Sequence, residues 1–359
     1  MQMIPRSRRR SFLGAVGLGI FLACAHGAHG ELPPLDFEPG IELAPQLERD
    51  VRFWIDVFAR YSRREAIVHD REEPAAILAV VPLRAGDPAE LTRVRRQYQA
   101  LLRRLGRSEH PQELAAVSLG APFDPRWIGL DPERLRVQRG RREVFADSLQ
   151  RSRAYLLDIR RAVRAARLPL ALAYLPHVES SFNAAAVSPA GAVGLWQLMP
   201  ETARDYQLRV DEEVDERQDA VRSMSVALAF LKEAHRVLQS WPLAITAYNY
   251  GVAGTVRGTA AVGSRDFVTF RAEHAGPSFG FASRNYYAQF LAAVQVAEHH
   301  GHYFRELRLG PLVEYVVRKG DTLHGIARRH GVPVEALRSA NNLGQEARLR
   351  RGQRLIIEG

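Results

Sequence analysis

The chain has 359 residues, of which 46% are hydrophobic, and it carries a formal net charge of +10. This length allows two or three domains, and the single cysteine, Cys24, excludes a disulfide bond within one chain. A basic chain raises the question of a nucleic-acid partner, but arginines interleaved with glutamates, as in Glu90 to Arg93, are typical of a solvated helix face. We therefore expect no nucleic acid as a partner.

Residues 1–30 have the pattern of a secretory signal peptide. Four arginines precede an apolar run from Phe12 to Ala25, which is too short to be a good membrane span and is followed by small residues. The Arg9-Arg10 pair also resembles a twin-arginine export motif. This pattern predicts export to the bacterial periplasm or cell envelope, by either the general or the twin-arginine route.

The end of this leader resembles a bacterial lipobox. Phe21-Leu22-Ala23-Cys24 has the cysteine in place, but phenylalanine and leucine stand where leucine and a smaller residue are usual. Two outcomes stay open: a lipid anchor at Cys24, which would make the protein an outer-membrane lipoprotein, or cleavage after Ala25 or Gly30, which would remove the cysteine.

Residues 31–120 are predicted to form a helical N-terminal extension. Apolar residues recur at helical spacing from Leu47 to Tyr61. A second helix is predicted with Asp87 as its cap, Pro88 in its first position and Gly106 at its end. No residue here indicates chemistry, so we expect a structural role.

Residues 121–310 alternate amphipathic segments with turns rich in glycine and proline. Helices are predicted from Val221 to Leu238, from Trp241 to Gly251 and from Tyr286 to Glu298. We find no alternation of polar and apolar residues with a period of two. The fold class is therefore expected to be mainly α.

Glu179 is the strongest candidate for a catalytic residue. Pro169 fits the first turn of a helix that leads to this glutamate, and Pro176 is expected to kink or loosen it. A carboxylate near a helix C-terminus, with apolar Val178 and Phe182 beside it, is expected to have a raised pKa, which suits a general acid. Taken alone, a glutamate of this kind is more often an exposed residue at a helix end.

Three motifs surround this glutamate in sequence. They are Glu179-Ser180, the stretch Gly194-Leu195-Trp196-Gln197-Leu198-Met199-Pro200, and Ala247-Tyr248-Asn249. With Asp215-Glu216-Arg217-Gln218-Asp219, these segments resemble the lytic murein transglycosylases, in particular the membrane-bound type D group with C-terminal LysM modules. The resemblance covers about residues 120–300. It implies a lysozyme-like α-helical catalytic domain that needs no cofactor.

The resemblance also implies a reaction. Glu179 would protonate the oxygen between N-acetylmuramic acid and N-acetylglucosamine, then take a proton from the muramoyl C6 hydroxyl, giving a 1,6-anhydro product without water. Most glycosidases need two carboxyl groups, whereas here only Glu179 stands in a motif. Two alternatives remain: a hydrolytic muramidase or chitinase, and a non-catalytic peptidoglycan-binding protein.

Further residues are candidates for binding the glycan strands of peptidoglycan. Ser188, Gln197 and Asn249 have the alternative of bonding to the backbone in turns, and Met199 has the alternative of filling the core. Tyr248 would lie near the glutamate. The late tyrosine of the family is best matched by Tyr286, and Tyr287 is left open. Tyr250 would narrow the groove. The candidates for binding the glycan are Ser188, Gln197, Met199, Tyr248, Asn249 and Tyr286.

Residues 314–359 predict a strand, two helices and a second strand. This order, with Gly320-Asp321-Thr322-Leu323 and Asn341-Asn342-Leu343, resembles one LysM module, which implies binding of glycans that contain N-acetylglucosamine. Asp321, Thr322 and Asn341 are the candidate glycan-binding residues, and helix capping is the alternative for each. No metal site is predicted, because the histidines of His299-His300-Gly301-His302 are better explained as an exposed helix end.

Overall fold

The computed structural model describes residues 32–358, except for 85–86, 88, 120–123, 308, 310–311, 342 and 345–347. The predicted signal peptide, Cys24 and Pro88 therefore lie outside the described residues. The buried apolar side chains form three clusters: a large one in the catalytic region, a small one in the N-terminal region and a third in the C-terminal module. The mainly α fold class is confirmed.

The N-terminal region mixes helices with a small sheet. Its elements are α1 (Glu48–Ala59), β1 (Glu65–Asp70), β2 (Ile77–Pro82), α2 (Glu90–Leu105), α3 (Pro111–Leu119) and β3 (Leu135–Arg139). The strands are antiparallel in the order β2-β1-β3, with Ala66 opposite Val81 on one side and Arg139 on the other. Helices α1 and α2 confirm the two predicted helices, and Gly106 ends the second as expected, but the N-cap of α2 is Ala89 and not the predicted Asp87.

The sheet corrects the expectation of a helical extension. Leu135 to Arg139, in the part of the chain for which only helices were predicted, form strand β3. Strand β1 is buried on both faces: Ile67 joins the large core, whereas Ala66 and Val68 join the small one. Its five consecutive buried residues, Ala66 to Asp70, therefore lack the alternation of polar and apolar residues that identifies a strand in sequence.

The catalytic region consists of helices joined by short turns. Its helices are α4 (Arg142–Ser152), α5 (Leu156–Ala165), α6 (Leu175–Glu179), α7 (Pro200–Asp205), α8 (Ala220–Leu238), α9 (Trp241–Tyr250), α10 (Val252–Val262), α11 (Phe267–Glu273), α12 (Phe281–Glu298) and α13 (His300–Tyr303). Helix α12 is buried around most of its circumference and packs against α1, α6 and α9. It is therefore the central helix of the large core.

The N-terminal extension is bonded tightly to this helical region. The hydroxyl group of Tyr287 on α12 donates a 2.7 Å hydrogen bond to the Glu42 carbonyl oxygen, and the Gln295 amide donates a 3.1 Å bond to the Pro34 carbonyl oxygen. Helix α1 also contributes Trp54, whose ring lies 6.1 Å from that of Phe281. The extension and the helical region therefore share one hydrophobic core.

The C-terminal module has the predicted order of strand, helix, helix and strand. Its elements are β4 (Leu312–Val316), α14 (Leu323–His330), α15 (Val334–Ala340) and β5 (Arg354–Glu358). The two strands pair antiparallel, with Glu314 opposite Ile356. Thr322 caps α14 by accepting a 3.0 Å bond from the Gly325 amide, and Gly331 ends that helix in the left-handed conformation. Within the described ranges, no helix is long and apolar enough to cross a membrane.

Candidate active site

Glu179 is the last residue of the short helix α6. A 3-10 helix over Leu170–Tyr174 leads into it, with Pro169 at its cap and Pro176 in the first turn of α6. Because the first turn of a helix leaves its N–H groups unpaired, proline fits there, and the expected kink is replaced by a change from 3-10 to α geometry. The glutamate thus stands at the C-terminal end of a helix, as predicted.

A buried histidine of helix α6 packs against the core and fixes the helix in place. The His177 ring stacks on Phe145 at 4.9 Å and packs edge-on against Phe182 at 4.5 Å. Its Nδ1 atom lies 2.7 Å from the Ser148 hydroxyl oxygen. Burial lowers the pKa of His177 to about 3, so the ring is neutral at physiological pH. Ser181 and Phe182 then take positive φ values and turn the chain away from the helix.

The carboxyl group of Glu179 is hydrogen-bonded to a tyrosine. The Tyr286 hydroxyl on α12 donates a hydrogen bond to its Oε1 atom. Burial raises the pKa of Glu179 to about 7, and the bond from Tyr286 opposes that rise. The glutamate side chain keeps partial contact with solvent. A carboxyl group with this pKa can donate and accept a proton near neutral pH.

Two tyrosines near the carboxyl group are held in their protonated form. Burial and the Glu179 charge raise the pKa of both Tyr248 and Tyr286 well above the usual value. Tyr286 contacts Glu179, whereas the neighbouring Tyr287 bonds to the backbone at Glu42. Of the two tyrosines left open by the sequence, Tyr286 is thus the one at the glutamate.

A glycine-rich turn packs against the glutamate through two carbonyl oxygens. Ser180, directly after Glu179, donates a 2.7 Å hydrogen bond to the Leu195 carbonyl oxygen. Tyr248 donates a 2.8 Å hydrogen bond to the Trp196 carbonyl oxygen. The three sequence motifs therefore meet at one place, joined by hydrogen bonds that their spacing in sequence does not reveal.

Arg217 is hydrogen-bonded to the backbone of this turn. Its Nη1 atom donates to the carbonyl oxygens of Gly191, at 2.8 Å, and Leu198, at 3.1 Å. Asp215 fixes the guanidinium group with bonds of 2.8 and 2.7 Å. Gly194 has a φ of +82°, and a Cβ atom there would clash with the Arg217 carbonyl oxygen. Arg217 stands in the motif from Asp215 to Asp219, but no role was predicted for it.

Gln197 and Ser188 are bonded within the turn. The Gln197 amide nitrogen donates to the carbonyl oxygens of Ala186, at 3.2 Å, and Gly194, at 3.0 Å. The Ser188 hydroxyl oxygen accepts a 2.9 Å bond from the Ala192 amide. Each side chain therefore makes the bond to the backbone that was the alternative to glycan binding.

Met199 and Asn249 lie at the surface of the site. Met199 is 38% exposed, which disfavours the core-filling alternative. The exposed Asn249 accepts a 2.8 Å bond at its side-chain oxygen from the Ser283 hydroxyl on α12. Tyr250 was expected to narrow the groove, and its hydroxyl oxygen lies 3.0 Å from Nε2 of His274. Asn249 is thus fixed to the same helix that carries Tyr286.

The candidate glycan-binding residues of the C-terminal module make internal bonds. Asp321 accepts 2.7 Å bonds from the Tyr315 hydroxyl and from the Arg318 amide. Asn341 joins α15 to β5, because its amide nitrogen donates to the Ile356 carbonyl oxygen at 2.7 Å. Thr322 caps a helix, so all three candidate residues make structural contacts within the module.

The histidines near the end of α12 form no metal centre. His299 and His300 each place Nδ1 near a backbone carbonyl oxygen, those of Gln295, at 3.1 Å, and Ala297, at 3.0 Å. Across the described part of the chain, no group of three or more histidine, cysteine, aspartate or glutamate residues could hold a metal ion.

Comparison with known proteins identifies two domains. Residues 159–269 match the transglycosylase SLT domain, and residues 315–358 match the LysM domain. The chain is 33% identical over 124 residues to membrane-bound lytic murein transglycosylase D of Escherichia coli strain K12. That match covers 33% of this chain and 27% of the relative, so the chain matches about a quarter of that protein's length.

Two solved structures are also similar. One is the 70 kDa soluble lytic transglycosylase of Escherichia coli, with 16% identity, a TM-score of 0.32, and coverage of 61% of this chain and 30% of that one. The other is an inactive mutant of lytic transglycosylase Slt from Pseudomonas aeruginosa, with 18% identity, a TM-score of 0.31, and coverage of 60% and 31%. The chain thus contains an SLT domain and a C-terminal LysM domain, and it is a homologue of the transglycosylase D protein.

Proposed function

We propose that this protein is a peptidoglycan lytic transglycosylase that cleaves the β-1,4 bond between N-acetylmuramic acid and N-acetylglucosamine without water. The observation that carries the proposal is the state of Glu179: burial brings its pKa to about 7, and Tyr286 is the polar side chain bonded to it. The SLT domain and the murein transglycosylase homologue support the same reaction.

Glu179 would act twice in this reaction. Its protonated form gives a proton to the glycosidic oxygen as the bond from that oxygen to muramoyl C1 breaks. The resulting carboxylate then takes the proton of the C6 hydroxyl group, and the C6 oxygen forms a new bond to C1. The proton of the C6 hydroxyl thus replaces the one lost to the leaving sugar, and the product is a 1,6-anhydro muramoyl residue.

One carboxyl group is enough because the nucleophile belongs to the substrate. Hydrolytic glycosidases generally use a second carboxylate as a base or nucleophile. Burial and Tyr286 account for the shifted pKa of Glu179, and no other carboxylate of the described residues contributes to it. An intramolecular hydroxyl group gains a high effective concentration from proximity. This arrangement favours transglycosylation over hydrolysis.

The surrounding side chains have proposed roles in binding the glycan. Tyr286 would orient the carboxyl group, and the exposed amide of Asn249 and the thioether of Met199 would contact the sugar. Gln197 and Ser188 would act mainly by shaping the turn, since both already bond to it. Tyr248 would hold the backbone of Trp196 beside the glutamate.

The other regions have proposed roles in location and attachment. The C-terminal module, over residues 314–359, would bind glycan strands and hold the enzyme on the wall. Residues 1–30 would direct export to the periplasm or cell envelope, with a lipid anchor at Cys24 as one of the two outcomes. The catalytic unit would span residues 121–310, with residues 31–120 as its extension.

Mass spectrometry of the products released from purified sacculi tests this proposal. We expect anhydromuramoyl products, which are one water lighter than the products of hydrolysis. Glu179→Gln should abolish release while keeping the fold and binding to sacculi, because both proton transfers are lost; the barrier should rise by several kcal/mol, on the order of 4 or more. Hydrated products would identify a hydrolase, and no products from the wild-type chain would identify a binding protein.

A further inference from the structure

A basic cavity lies between the N-terminal sheet and the start of α12. Its volume is about 560 Å³, and strand β3 and helix α2 form one wall while residues 279–284 form the other. Its charged lining consists of four arginines and one glutamate, namely Arg71, Arg95, Arg136, Arg284 and Glu72. We call this cavity the arginine cleft. It does not contain Glu179.

The positive charge of the cleft is only partly compensated. Glu72 bonds to Nε of Arg71 at 3.0 Å and lies 3.8 Å from Nη1 of Arg284, so one carboxylate serves two arginines. Arg95 has an exposed partner, Glu133, at 3.5 Å, and such surface pairs contribute little. The cleft therefore keeps an excess of positive charge.

Arg136 carries the clearest part of this excess. Its guanidinium group lies 4.0 Å from the centre of the Phe281 ring and, among the described residues, forms no ion pair. Burial and the nearby charge of Arg95 lower the pKa of Arg136. An anion in the cleft would relieve the repulsion between these two groups, and guanidinium groups bind carboxylates with paired hydrogen bonds.

The cleft and the candidate active site share the first turns of one helix. Arg284 and Tyr286 are two residues apart on α12, about 3 Å along the helix axis, but side chains at this spacing project to nearly opposite sides of the helix. Ser283, the residue before Arg284, bonds to Asn249. A glycan strand bound at Glu179 carries a peptide with free carboxylates on each muramoyl lactyl group. A carboxylate-bearing branch of the substrate therefore fits the charge of the cleft, and an extended peptide of several residues, at about 3.3 Å each, is long enough to pass around the start of α12.

We propose that the arginine cleft binds the carboxylates of the peptidoglycan stem peptide and so directs cleavage to glycan strands that carry peptides. This inference rests on the proposed function of the Glu179 site. It assigns the N-terminal sheet a part in substrate selection, because β3 carries Arg136.

Kinetics on two substrates test the inference. The first substrate is a set of soluble glycan strands with their stem peptides, and the second is the same strands after an amidase has removed the peptides. The double variant Arg95→Gln, Arg136→Gln should raise KM for the first substrate about tenfold to a hundredfold, equivalent to the loss of one charged hydrogen bond. Turnover of the second substrate should stay at the wild-type level.

Two control variants separate charge from structure. Arg96→Gln changes an exposed arginine of α2 that is next to Arg95 in sequence but does not line the cleft, and it should change neither KM. Arg95→Lys, Arg136→Lys keeps the charge but not the paired hydrogen bonds, so it should recover only part of the selectivity. The soluble stem tripeptide should also bind the Glu179→Gln protein, with chemical shift changes at Arg136 that inorganic phosphate at equal concentration does not reproduce.

The outcomes are distinguishable from failure of the proposed function. If the wild-type chain cleaves neither substrate, the proposed function fails. If it cleaves both and the double glutamine variant changes both KM values equally, or neither, the arginine cleft does not select peptides. Equal binding of phosphate and tripeptide would make the cleft a general anion site and would also overturn the inference.

Discussion

Ser180 donates a 2.7 Å hydrogen bond to the carbonyl oxygen of Leu195, which ties the residue after the candidate acid to the glycine-rich turn. The bond joins the end of α6 to a segment 15 residues further along the chain. The Ser180 hydroxyl group therefore helps to set the position of the Glu179 carboxyl group relative to this turn, and its removal tests how far positioning contributes to turnover.

Ser180→Ala should lower kcat about tenfold, because a small displacement of a catalytic group is costly. The free energy of unfolding should fall by about 1 kcal/mol, as expected for one hydrogen bond. Turnover of soluble glycan and urea denaturation are the measurements. Ser225→Ala is the control, since its hydroxyl bonds to the Arg222 carbonyl oxygen on the exposed side of α8. If both variants have the same kcat, the bond has no role in positioning.

Glu179→Gln should make the protein more stable at alkaline pH. The carboxyl group ionises at about pH 4.5 when unfolded and about pH 7 when folded, so the wild-type chain loses stability as pH rises between these values. Glutamine does not titrate and avoids this loss. The variant should exceed the wild type by about 1 to 3 kcal/mol at pH 8 and match it at pH 4.

Thermal denaturation across this pH range measures the difference. Glu201→Gln, on an exposed position of α7, is the matched control and should follow the wild-type curve. A constant difference between the wild type and Glu179→Gln at all pH values would contradict a raised pKa at this glutamate.

Gly194→Ala should destabilise the protein by about 3 kcal/mol or more, through a clash with the Arg217 carbonyl oxygen added to a strained positive φ. Gly191→Ala separates the two effects, because Gly191 has a similar φ of +87° and open space around its Cβ position. It should cost only about 1 kcal/mol. Chemical denaturation of both variants gives the comparison. Equal losses would mean that the close approach of Arg217 is unimportant.

Deletion of Glu314–Gly359 should leave turnover of short soluble glycan intact but weaken retention on sacculi. The module has its own hydrophobic cluster, formed by residues such as Ile326 and Leu355, and a second attached site raises the effective concentration of enzyme on a polymer. Sedimentation with insoluble wall and turnover of a soluble substrate are measured side by side. Loss of both to the same degree would show that the module is part of the catalytic fold.

The sequence predicted the helices better than it predicted the contacts. Helix α8 has a clear apolar face and ends at a left-handed residue, and α9 has a serine cap, a proline in its first turn and a glycine at its end, so local signals suffice. Strand β1 was missed because burial on both faces removes its periodic pattern. The extension was expected to have a structural role only. We propose in addition that the sheet it forms with β3 contributes to substrate selection.

The candidate site shows the same limit at the level of single residues. Glu179 and Tyr286 are 107 residues apart, and the motif resemblance was needed to connect them. Arg217 was missed because its partners Gly191 and Leu198 are backbone carbonyl groups, which are the same for every residue type. A hydrogen bond to a carbonyl oxygen leaves no trace in the identity of the residue that accepts it.

The shared core of α1 and α12 bears on how this protein can be divided. Motif boundaries suggest that a chain beginning at residue 121 would keep the whole reaction, yet it would lack Trp54 and Phe58, which pack on Phe281 and Phe145. The apolar side of α12 left behind would face water. The smallest unit expected to keep its fold therefore begins before α1 and is larger than the segment that carries the motifs.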